Sequence, residues 1–325
     1  MNEDIIDSSK KKYYECVKET IIKLREVPEL IGLDLNLALV GTHPLNALLA
    51  NNILSTNLNS SDEIYKLIRY ISDRYSEDIS TLRARKILSI QSNYLMPPLE
   101  TRGIQMSAAN ISEKLLGLKL NQFRKEASER MPLSWNHFID IIKSYTIVKL
   151  DGHEAPCYFS GSFSQGFGGI HGADIEDLEH FIEIFTHEAG HLRLILLDWV
   201  GTPLVLNNNN DASFFSPWRS DPRPMMGIYH AHYVFTNVAE ALLTYTGNPN
   251  HKRILYMLAR VEDAGYQIEK FARLSPSAIQ LFHHTKSIFN RLQLLADKVL
   301  YQKIKQDYLL FKDDVIHSNV NISYI

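Results

Sequence analysis

One segment constrains the fold of this chain more than any other. Between Asp174 and Trp199, the apolar residues Ile175, Leu178, Ile182, Phe185, Ala189, Leu192 and Leu196 recur at alternating steps of three and four. That period belongs to an α-helix with one stripe against a core. Asp174 is placed to cap its N-terminus. Glu176 and Asp177 follow in the first turn, where the helix dipole favours negative charge. Gly201-Thr202-Pro203 ends the helix. Inside it lies Thr186-His187-Glu188-Ala189-Gly190-His191, an HExxH pattern whose two histidines fall off the apolar stripe. They share a second face with His180 and Ile184, so the helix is expected to be buried on two sides.

Residues four apart on a helix stand one above the other, with Cβ atoms roughly 5–6 Å apart. Two imidazoles so placed can meet one metal ion at bonds of about 2.0–2.1 Å for zinc. A catalytic centre needs a third protein ligand and an open position. The downstream candidates are His230, His232 and Glu240. His230 and Glu240 lie ten residues apart on one expected helix, about 15 Å of rise, so they do not serve the same metal. With Glu240 as ligand the chain would be a zinc metallopeptidase, and Glu188 would be the general base on the metal-bound water. No Asp follows Glu240 to orient a histidine. Leu194 and Leu197 stand where the three-histidine protease pattern needs Gly and His.

The rest of the chain reads as mainly α-helical with a small β element, an α+β fold. Helical spacing covers Ser9–Glu26, Asp62–Tyr75, Ala108–Glu129, about Met226 to Tyr245, and most of Lys252–Asp314 with an interruption at Ser275-Pro276. Ser144–Leu150 and Ala155–Phe159, rich in β-branched and aromatic residues around Asp151-Gly152, predict a hairpin. The glycine-rich stretch from Ser160 to Gly169 lacks phosphate-loop spacing and reads as a loop. Asn93–Leu99 breaks the helical pattern. A boundary near there gives an N-terminal helical subdomain over 1–100 and a metal-binding catalytic region with C-terminal helices over 101–325.

Composition narrows the class of function. The formal net charge of −3 gives no basic excess for nucleic acid. Two cysteines, Cys16 and Cys157, make neither a ligand pair nor a disulfide framework. The acidic start has no signal-peptide character, and no apolar run is long enough to span a membrane. The expectation is a cytoplasmic enzyme.

Before His230 runs Ser216-Pro217-Trp218-Arg219-Ser220-Asp221-Pro222-Arg223-Pro224. Arg219 and Arg223 sit on a proline-stiffened loop, and an Arg fork binds carboxylate through paired, charge-assisted hydrogen bonds. An HExxH motif, this Pro-Trp-Arg-x-Asp-Pro-Arg-Pro loop and the Gly-x-x-His step at Gly227–His230 together resemble the HExxH-type, 2-oxoglutarate-dependent peptide β-hydroxylases. Those enzymes occur with pathways for ribosomally made, modified peptides. The resemblance is clearest from about Phe185 to Val238. It implies Fe(II) held by His187, His191 and His230, with His232 as the nearby spare. It also implies 2-oxoglutarate as cosubstrate, its distal carboxylate on Arg219 or Arg223, and a precursor peptide as substrate. Three histidines depart from the familiar pair of histidines plus one carboxylate. Glu188 then has no chemical step of its own, and serves as an acceptor for a ligand's distal N–H or as a substrate contact.

Overall fold

The structure, a computed structural model, describes residues 2–24, 88–89, 106–109, 112–131, 138–150, 160–162, 167–208, 214–219 and 221–318. The fold is mainly α-helical with a small sheet, an α+β arrangement, and the HExxH motif lies on a buried helix. The chain divides into two compact units. One holds Glu3–Ser128 and Asn136–Phe181; the other holds Met1–Asn2, Glu129–Trp135 and Ile182–Ile325.

The first of these units carries the sheet. Helices α1 (Asn2–Leu24) and α2 (Glu113–Arg130) accompany strands β1 (Leu88–Ser89), β2 (Met106–Ala108), β3 (Ser144–Leu150), β4 (Ser160–Ser162) and β5 (Gly169–Gly172). β3 is central. It pairs in parallel with β1 at its start and with β5 over Ser144–Ile147, and antiparallel with β2 at its end. Tyr145, Thr146, Ile147 and Val148 are all buried, as expected of a strand covered on both faces. The Tyr145 hydroxyl donates to the Ala173 carbonyl at 2.5 Å. β4 runs antiparallel to β5 and sets Gly161 opposite His171. A Cβ at Gly161 would come within 2.6 Å of His171 Nε2, so only glycine leaves room for that imidazole.

Two expectations are corrected here. The helix read from Ala108 begins at Glu113, because Ser107 and Ala108 pair with Lys149 and Val148 as a strand. The helix read from Ser9 begins at Asn2, with Ile6 and Tyr13 buried and the Tyr13 ring 4.5 Å from Phe167. Asp62–Tyr75, the Asn93–Leu99 break, Asp151-Gly152 and Ala155–Phe159 lie outside the described residues.

The second unit is helical: α3 (Leu178–Val200) from Ile182 onward, α4 (Met225–Thr246), α5 (Lys252–Phe271), α6 (Pro276–Leu295) and α7 (Lys298–Ser318). Helix α3 starts later than its acidic leader suggests. Asp177 Oδ1, not Asp174, accepts the capping hydrogen bond, from the His180 N–H at 2.8 Å. Asp174 instead pairs with Lys119 at 3.2 Å. Leu178, Ile182, Phe185, Ala189, Leu192 and Leu196 are all buried, and so are Phe181, Ile184, Glu188 and Arg193 on the other faces. A helix buried nearly all round sits at the centre of a core.

Helix α4 packs against α5 and α6. Its N-terminal residue Pro224 offers no side-chain cap, and Asn208 Oδ1 accepts from the Met226 N–H at 3.0 Å instead. Gly247, at φ 63°, closes the helix by donating to the Leu243 carbonyl. Tyr229, buried on α4, donates its hydroxyl to the Ala278 carbonyl on α6 at 2.9 Å. The interruption read at Ser275-Pro276 is the start of α6, where the Ser275 side chain accepts from the Ala278 N–H and Pro276 fills the first turn. Asp297 starts α7 in the same way, accepting from the Leu300 N–H at 2.8 Å. No helix among the described residues is long and apolar enough to cross a membrane.

Candidate metal centre

His187 and His191 project from the one face of α3 that is not sealed, and α4 brings His230 to them. The approach depends on Gly190. A Cβ there would stand 3.0 Å from Val234 Cγ2 and 3.4 Å from Val234 Cα. The bare backbone of α3 therefore rests on α4 between the two histidines of the motif. His191 stands at the middle of the resulting cluster. Its Nε2 is 3.2 Å from His187 Nε2, and its Nδ1 is 3.1 Å from His230 Nδ1. The His191 and His230 rings stack at 5.3 Å.

These imidazoles open on a cavity of about 690 Å³. Its charged wall is the loop before α4. Arg219 and Arg223 both line it, and among the described residues no carboxylate does. Arg223 Nη2 pairs with Asp221 Oδ2 at 2.8 Å, while its Nε is buried without a hydrogen-bond partner among the described residues. A buried donor of that kind is a place for an acceptor. Gly227 makes way for the Arg223 stem, since a Cβ there would meet Arg223 Cβ at 3.3 Å. The loop is held from below by Gln267 Nε2, which donates to the Phe215 carbonyl at 3.1 Å, and by the Phe214–Arg223 backbone bridge.

The apolar wall was not foreseen. Trp218 and Phe235 stack face to face at 4.2 Å with an interplanar angle of 4°. Phe235 in turn presents its ring to His187 at 4.9 Å. The helical period that places His230 also puts Gly227, Ala231 and Phe235 on the cavity side of α4. Trp218 carries no such signal, because it reaches Phe235 across a loop.

The other candidates lie elsewhere. His232 points into the helical core, where its Nδ1 is 3.3 Å from Thr285 Oγ1 and its ring packs on Phe282. Glu240 pairs with Arg291, further along α4. Glu188 is buried and outside the cavity lining, with Oε1 3.9 Å from His187 Nε2. His283 and His284 are exposed on α6.

Burial holds all three cluster imidazoles well below the usual histidine range, to about 4 for His187 and about 3 for His191 and His230. The positive charge of Arg219 adds to this at His187 and at His191, where His187 adds to it as well, and His191 adds to it at His230. At neutral pH these are unprotonated rings with lone pairs to give, the form a metal ion requires.

The fit to a metal ion follows from the donor spacing. With bonds of about 2.0–2.1 Å, adjacent donors around one ion stand about 3.0–3.4 Å apart. The Nε2 atoms of His187 and His191, 3.2 Å apart, meet that condition. His230 reaches the other nitrogen of His191, so a third bond requires its imidazole to turn toward the Nε2 pair. Among the described residues, no three His, Cys, Asp or Glu side chains already converge as a metal-binding group. The chain matches no family model, and no curated protein matches it.

Proposed function

We propose that this protein is an Fe(II)- and 2-oxoglutarate-dependent hydroxylase acting on a side-chain β-carbon of a ribosomally made precursor peptide, a member of the HExxH-type peptide hydroxylases its sequence resembles. The supporting observation is the pairing of neutral histidines with arginines in one cavity. His187, His191 and His230 stand in hydrogen-bond contact at a wall that also carries Arg219 and Arg223, and among the described residues no carboxylate lines it. A peptidase needs a carboxylate base facing the metal-bound water. A site for a metal-chelating keto acid needs cations for the anion's charge.

When bound together, iron, 2-oxoglutarate and dioxygen supply an oxidant for an unactivated C–H bond, with 2-oxoglutarate leaving as succinate and carbon dioxide. The chain's own groups hold and shield the reactants. His187 and His191 offer Nε2 lone pairs, with His230 as the third donor. Arg223, which lines the cavity and is steadied by Asp221, would take the distal carboxylate. The Trp218–Phe235 wall keeps water from one side of the histidines.

The zinc metallopeptidase alternative asks for Glu240 as ligand and Glu188 as base. Glu240 is engaged by Arg291 ten residues beyond His230, and Glu188 lies outside the cavity lining. The test is turnover: purified protein given Fe(II), 2-oxoglutarate, oxygen and a candidate precursor peptide is expected to form succinate and a peptide heavier by one oxygen atom. Peptide cleavage dependent on zinc, with no succinate, would replace this reading with the hydrolase.

A further inference from the structure

The wall of the cavity is anchored through two helices that do not line it. Asp263 and Gln267 stand one turn apart on α5, and Tyr308 and Lys312 stand one turn apart on α7. The two pairs converge. Asp263 Oδ1 accepts from Lys312 Nζ at 2.6 Å, and Asp263 Oδ2 accepts from the Tyr308 hydroxyl at 2.7 Å. Both charged side chains are mostly buried. Lys312 Nζ also stands 5.3 Å from the centre of the Phe215 ring, within the range of a cation–π contact. Gln267 Nε2 donates to the Phe215 carbonyl. Phe215 is therefore fixed by its ring from α7 and by its backbone from α5. Ser216 to Arg219 follow as a tight turn. The Arg219 N–H donates to the Ser216 carbonyl at 3.3 Å, and Pro217 occupies the position that its fixed φ suits. Trp218 is the next residue of that turn and stacks on Phe235. A stiff turn passes any displacement of Phe215 on to Trp218.

We propose that Lys312, aimed by Asp263, is a positioning residue for the cavity: it fixes Phe215 and, through the turn, sets where Trp218 stands in the wall. A buried ion pair is not needed merely to join α5 to α7. A well-packed apolar pair of similar volume often joins two helices as firmly, without desolvating two charges. What the ion pair adds is direction. The carboxylate confines a flexible ammonium group to one place, and that place is over the Phe215 ring. The C-terminal helix is thereby tied to the shape of a cavity that it does not line. The consequence for turnover rests on the hydroxylase reading of the cavity; the consequence for Trp218 does not.

The experiment compares the full-length wild type with Lys312→Arg, Lys312→Met, and a double variant that joins Asp263→Asn to Lys312→Met. The double variant removes both charges together and leaves no carboxylate buried and unpaired, so it is expected to unfold close to the wild-type temperature. The first readout needs neither metal nor cosubstrate: acrylamide quenching of the Trp218 emission. The chain has three tryptophans, so that emission is taken as the part that Trp218→Phe removes. In Lys312→Met and in the double variant it is expected to shift to longer wavelength and to be quenched more readily. In Lys312→Arg it is expected to stay as in wild type, because a guanidinium keeps both the ion pair and the ring contact. The second readout is succinate formation with Fe(II), 2-oxoglutarate and precursor peptide. There Lys312→Met and the double variant are expected to lose about tenfold to a hundredfold in kcat through a misplaced wall, and Lys312→Arg to stay near wild type. A folded double variant with wild-type Trp218 quenching, or a Lys312→Arg variant as altered as Lys312→Met, would overturn the positioning role and leave the hydroxylase reading standing. Absence of succinate from the wild type would overturn the hydroxylase reading, while the quenching result still decides the positioning of Trp218.

Discussion

Gly190 rests directly on Val234, and this contact brings the imidazole of His191 within reach of His230. Replacing Gly190 sets two effects against each other. Alanine gains about 1 kcal/mol of helix propensity over glycine. Its Cβ must also fit at 3.0 Å from Val234 Cγ2, which a small shift of that side chain can accommodate. Gly190→Ala is therefore expected to be close to neutral in stability. Gly190→Val forces α3 and α4 apart, with a loss of about 1–3 kcal/mol from overpacking. It is also expected to weaken metal binding about tenfold or more through displacement of His230. Urea unfolding and Co(II) titration of both variants check this; a valine variant with wild-type metal affinity would contradict it.

His230 and His232 are two residues apart in sequence but have separate surroundings. His230→Ala is expected to lose metal affinity with little change in stability. His232→Ala is expected to keep its metal and lose about 1–3 kcal/mol, because it leaves Thr285 and a packed ring site unfilled. Metal content after dialysis, read beside thermal unfolding, separates the two. Retention of metal by His230→Ala and loss by His232→Ala would reverse the assignment.

Glu188 distinguishes hydrolysis from hydroxylation. Its carboxylate is buried and does not line the cavity. Glu188→Gln, which keeps shape, is expected to fold and to retain succinate formation within about tenfold of wild type. A loss of several hundredfold or more in a cleavage activity of the wild type would instead identify a general base.

Much of this was legible in the sequence where a regular period spoke for it. The stripe of α3 predicts the buried set from Leu178 to Leu196, and the HExxH spacing predicts two imidazoles on one face. The helix start is less legible, because Asp174 and Asp177 are equally good caps by type and only the Lys119 ion pair and the His180 N–H tell them apart. The choice between His230 and His232 has no local signal. It is decided by which face of α4 meets α3 at Gly190 and which meets α5 at Gly265, where a Cβ would lie 3.3 Å from His232 Nε2. The break before α7 is hidden because Ala296-Asp297 contains neither Gly nor Pro. The Trp218–Phe235 stack spans a loop, where no period operates.

Acid is expected to destabilise the metal-free protein in a defined window. Burial, the main cause in each case, lowers the affinity of His171, His187, His191, His230 and His232 for protons, from 6.5 to about 4 or about 3. Below pH 6.5 the unfolded chain protonates these groups and the folded chain does not, so the unfolded state binds more protons. Stability is therefore full above 6.5 and falls as pH drops toward 4, by up to about 1.4 kcal/mol per pH unit for each group. Urea midpoints of apoprotein at pH 7.5, 6 and 5 are expected to decline in that order. Equal midpoints would mean that the imidazoles are open to solvent and protonate in the fold.

The most direct measurement is the visible spectrum of the protein loaded anaerobically with Fe(II) and titrated with 2-oxoglutarate. Chelation of a keto acid by iron at His187, His191 and His230 is expected to produce a charge-transfer band that grows to saturation and bleaches when oxygen is admitted. Iron-loaded, folded protein whose spectrum stays flat throughout the titration would contradict a 2-oxoglutarate site in this cavity.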